Sequence, residues 1–236
     1  MYRTLDAERL AETILRLHQR ISQRFPGSSL SRVGAELHEI SLHARVRAER
    51  IQRTNLLLRT ASLLMVAGIF TALIVILLKV RFAAQVLDLP ELTQFMESAL
   101  GTLVFIGAAV LFCITIENRV KRRRALDAIY ELRVLAHIVD MHQLTKDPEH
   151  VFREGDPTAS SSQGTLTAFE LNRYLDYCTE LLSLISKVGV LYVQRLHDSA
   201  VLDAVDQLED LTTGLSEKIW AKINILDRER RRHDAP

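Results

Sequence analysis

Two stretches without a single charged residue constrain this chain more than anything else in it. One runs from Ala61 to Leu78 (ASLLMVAGIFTALIVILL), the other from Ala99 to Ile116 (ALGTLVFIGAAVLFCITI). At 1.5 Å of rise per residue, each is close to the roughly 20 residues that cross a bilayer core of about 30 Å. A run this apolar suits either a helix buried inside a large core or a membrane span. Two such runs with arginines at their outer ends favour spans, predicted at about 60–79 and 99–117.

The flanking charges give the orientation. Arg45, Arg47, Arg50, Arg53 and Arg59 precede the first run, and Arg119, Lys121, Arg122, Arg123 and Arg124 follow the second. The connecting segment has only Lys79 and Arg81, offset by Asp88, Glu91 and Glu97. Basic loops stay on the cytoplasmic side. Both clusters, and hence both termini, are therefore expected in the cytoplasm, with the arginines at the membrane surface, where each contact to an anionic headgroup is worth about 1 kcal/mol. Asp88, Pro90 and Glu91 read as the start of a short helix feeding the second run. Gly68 and Ala72, and Gly107 and Ala108, are small enough to let the two helices pack closely. Ser62 and Thr71 fall on opposite faces of the first helix, Thr102 and Thr115 do not share a face of the second, and no ionisable group lies mid-run. That pattern argues against a standing aqueous pore or a proton path.

Outside the runs the pattern is helical. Leu10, Ile14, Leu17, Ile21 and Phe25 are spaced three and four apart, as on an amphipathic helix over Thr4 to Phe25 that ends at Pro26-Gly27. Val33, Leu37, Ile40, Ala44, Ala48 and Ile51 continue the pattern with no breaker before the first run. One rod of roughly 70 Å over residues 31–79 is the simplest expectation. Leu126, Ile129, Leu132, Leu135 and Val139 extend the second run to a helix end near Leu144. Acceptors such as Glu49, Glu117, Asp127 and Glu131 lie near the arginines. Thr167 and Glu170 have capping-box spacing for a helix through Leu191, and a last helix is expected from about Ala200 to Arg230. Tyr174, Tyr177, Tyr192 and Trp220 are read as core and interface residues. Residues 145–164 have the Pro, Gly and Ser content of a linker.

The resulting expectation is an all-α chain: a two-helix transmembrane hairpin whose helices extend into a cytoplasmic helical bundle. Its parts are N-terminal helices over 1–55, a hairpin over 56–118 and a C-terminal bundle over 119–236. The two cysteines offer no disulfide framework, and the charged start of the chain has no leader-like pattern.

Chemistry is sparse. The sequence has no phosphate-binding glycine loop and no zinc or nucleophile motif. No catalytic residue, cofactor or metal is assigned. One polar set stands out: His137 and Asp140 share a helix face, and His38 with Glu39 precedes the first run by about as much as His137 follows the second. If the two stalk helices pair without slippage, these residues meet as a polar layer that sets helix register, or as a metal or pH-sensitive site. A net charge of +1 gives no case for nucleic acid. The expected partners are the lipid bilayer and either further copies of the chain or another protein. The expected location is the cell membrane, on compositional grounds a bacterial inner membrane. The expected action is non-enzymatic, by association, with a channel or transport subunit as the alternative. In layout, a two-span hairpin with helical cytoplasmic parts, the chain resembles the two-span effectors of bacterial defence systems. That resemblance implies oligomerisation and membrane disruption.

Overall fold

In the computed structural model, the described residues are 4–52, 56–83, 89–144, 146, 166–194, 196 and 198–233, and among them there are helices and no strand. The helices are α1 (Ala7–Arg24), α2 (Ser29–Gln52), α3 (Leu56–Ala83), α4 (Leu89–Leu144), α5 (Ala168–Val193) and α6 (Ser199–His233). The chain divides into two compact units, one of Met1–Gln52 with Arg124–Pro236 and one of Arg53–Arg123.

The first unit is a helical bundle, and local signals set its helix ends. Asp6 caps α1 by accepting hydrogen bonds from the Glu8 and Arg9 amides, satisfying donors that the first turn leaves open. At the other end the Phe25 N–H donates to the Ile21 carbonyl, and Gly27 turns the chain at φ +68°, where a side chain would be strained. The capping box at Thr167 and Glu170 forms as its spacing predicts, and starts α5.

Helix directions follow from the side-chain pairs. Arg20 meets Glu180, and Gln194 reaches the Leu5 carbonyl, so α1 and α5 are antiparallel. Arg47 bonds Glu131 and Arg32 acts on His142, so α2 and α4 are antiparallel too. Arg133 meets Gln207 and Lys222 meets Gln143, so α4 and α6 run the same way. The hydrophobic stripes of α1 and α6 are buried throughout. Burying each such leucine or isoleucine is worth about 1.5–3 kcal/mol.

Helix α5 is the central member. It packs against α1, α2 and α6, and Gly189 brings it close to α4 and α6 together. A Cβ at Gly189 meets Leu208 Cδ2 at 2.8 Å and Leu132 Cδ1 at 3.8 Å. The nearer atom is the end of a flexible side chain, so alanine there is expected to be nearly neutral, its helix propensity offsetting the crowding. Leucine is expected to lower stability by about 1–3 kcal/mol through overpacking. Urea denaturation of Gly189→Ala and Gly189→Leu checks the contrast.

In the second unit none of the described side chains of α3 and the first part of α4 is fully buried. Every described side chain between Thr60 and Arg123 is half-buried or exposed, including Leu64 at 74% and Phe105 at 80%. The Thr71 hydroxyl donates to the Ala67 carbonyl at 2.8 Å and the Thr115 hydroxyl to the Leu111 carbonyl at 2.9 Å. Each is satisfied within its own helix. A Cβ built at Gly68 or Gly107 has no neighbour within 4 Å, and the side chain of Ala72 lies outside the described residues. Among the described residues no helix is long and apolar enough to cross a membrane. The all-α expectation therefore stands, while the transmembrane hairpin is not established by the structure.

The described helices bear on three further expectations. Pro90 and Glu91, expected to start a short feeding helix, lie in α4 itself, which is helical over Leu89–Leu144 and unbroken through Glu117–Arg124; Asp88 lies outside the described residues. Of the rod expected over 31–79, Ser29–Gln52 and Leu56–Ala83 are helical; residues 53–55 lie outside the described residues. Most of the expected linker, residues 147–164, also lies outside them.

Candidate functional site

The polar set predicted across the stalk is level but not facing. Counting nine residues along each helix from the Arg47–Glu131 pair brings His38 to the level of Asp140. Orientation separates them. On α4 the buried positions are Ile129, Leu132, Leu135, Ala136 and Val139. His137 lies about 140° around the helix from Leu132 and is exposed. Asp140 is half-buried and accepts a 2.7 Å hydrogen bond from Gln143 Nε2. His38 turns the other way and lines a groove of about 330 Å³ between α1 and α2, with Ala11, Leu15, Ser41 and Leu42. Its Nδ1 is buried there without a hydrogen-bond partner, and the neighbouring Ser41 hydroxyl donates to the His38 carbonyl. Glu39 is exposed. Among the described residues no three His, Cys, Asp or Glu side chains are placed to hold a metal ion.

Arg47 of the basic set pairs with Glu131, one of the acceptors expected near it. Its guanidinium donates to Glu131 Oε2 at 2.5 Å, joining α2 to α4. Both side chains are only half covered, so the pair is worth at most about 1 kcal/mol. The Glu131 hydrogen bond raises the Arg47 pKa above its ordinary value. Tyr192 of α5 is buried beside them, and burial raises its phenol while the Arg47 charge pulls it back. Of the remaining basic set, Arg119, Arg122, Arg123 and Arg124 are exposed and Lys121 is half-buried. The side chains of Arg45, Arg50, Arg53 and Arg59 lie outside the described residues.

The other end of the bundle holds a polar and aromatic cluster that stripe counting does not reveal. Lys222 of α6 donates to the Gln143 and Lys146 carbonyls at 3.0 and 3.3 Å, capping the open end of α4 with a cation. Phe25 packs edge-on against Tyr174 and Tyr177. Arg20 lies over Tyr177, and Arg24 and Arg173 both lie over the exposed Phe169. Burial pushes the Tyr174 phenol up to about 12. It pushes the Cys178 thiol up as well, which makes that cysteine an inert core residue. Three of the four aromatics read as core are buried; Trp220 is exposed.

His142, near the end of α4, is the group whose protonation the fold resists. Burial, and then the charge of Arg32, lower its pKa below 6.5. The unfolded chain therefore takes the proton first. Stability from this residue is complete above about pH 6.5 and declines as the pH falls from there to the folded value. Melting temperatures measured between pH 7.5 and 5 are expected to fall less steeply for His142→Gln than for the wild type. Equal slopes would remove His142 as the cause.

The arrangement is a set of inter-helix struts. No nucleophile with a base and an orienting group is assembled among the described residues, and the polar atoms brought together join one helix to the next. Compared with family models, curated proteins and solved structures, the chain matches none.

Proposed function

We propose that the chain is a membrane-anchored, non-enzymatic helical protein that acts by association, with residues 56–118 as a two-span hairpin and the bundle in the cytoplasm. One observation carries the reading: a unit rich in large apolar side chains buries none of those described, as Leu64 and Phe105 illustrate. In water that much apolar surface drives aggregation, whereas in lipid it is the stable surface. Within the first run, residues 61, 62, 72, 76 and 77 fall outside the described side chains; in sequence they are Ala, Ser, Ala, Ile and Leu, all uncharged. Arginines beyond both runs suit a cytoplasmic bundle.

Conduction is the weaker reading. Thr71 and Thr115 spend their hydroxyls on their own helix backbones, and neither helix offers a polar stripe for a permanent pore. A pore formed only on assembly, as the likeness in layout to two-span defence effectors implies, remains within the proposal. Two measurements test it. The protein should resist alkaline extraction from membranes, and a protease added outside spheroplasts should leave the bundle intact. Complete extraction of the wild-type chain would overturn the anchor. Loss of membrane potential on induced expression would favour disruption over simple scaffolding.

A further inference from the structure

We draw no further inference here: the strongest candidate, the apolar groove of about 330 Å³ between α1 and α2 lined by Ala7, Ala11, Leu15, His38 and Leu42, carries none because His38 Nδ1 is itself closed to solvent, Glu12 at its rim is already paired with Arg16, and nothing in the structure shows what covers the groove.

Discussion

Replacing Phe105 and Ala109 by arginine is expected to move the protein from the alkali-resistant membrane fraction into the soluble or aggregated one. The two positions are four apart, on one face near the middle of the second apolar run. An arginine at the centre of a span costs about 2.5–3.5 kcal/mol on insertion scales, and two on one face give snorkelling little room. The same pair of changes at Arg119 and Arg123, as lysines, keeps the charge and is expected to leave extraction unchanged. If the arginine variant stays in the membrane as firmly as the wild type, this run does not anchor the chain.

Aspartate at Leu182 is expected to unfold the bundle, and aspartate one residue further on to leave it intact. Leu182 is fully buried in α5, the helix surrounded by its neighbours. A carboxylate there has no partner and loses its hydration, at a cost of several kcal/mol set against a typical total stability of about 5–15 kcal/mol. Ser183 is exposed and accepts a 2.6 Å hydrogen bond from Lys187 Nζ. Aspartate at that position meets the lysine four residues on and gains up to about 0.5 kcal/mol. Circular dichroism melts of Leu182→Asp and Ser183→Asp make the comparison. Equal melting temperatures would mean that α5 is not the centre of the unit.

Much of the fold was legible in the sequence. The three-and-four spacing of Leu10, Ile14, Leu17 and Ile21, and of Val201, Val205 and Leu208, marks faces that are buried in the structure. The Thr167–Glu170 box starts α5, and the pattern after Val139 stops near Leu144 where α4 ends. These are local matters: side-chain spacing along a 3.6-residue helix and hydrogen bonds within one turn. The exceptions are residues at the edge of a stripe. Trp220 and Phe169 have the right spacing and chemistry for a core but are exposed.

The polar set was half legible. Equal distances along the chain from the two apolar runs put His38 level with His137, whereas the Arg47–Glu131 pair puts it level with Asp140. Those distances carry no information about rotation. His38 turned to α1, and His137 to the open side, because the other helices occupy the remaining faces. Of the acceptors expected near the arginines, Glu131 takes Arg47. Nor did spacing reveal Lys222 capping α4, since Gln143 and Lys222 are joined only by packing.

The two uncharged runs return here in a sharper form. The sequence by itself determined that they are helical and uncharged, because composition and period are properties of a segment alone. Only the tertiary structure decided which faces of the bundle helices are buried and which are open. Which face meets which neighbour depends on how four helices share the space around α5, and no single helix encodes that.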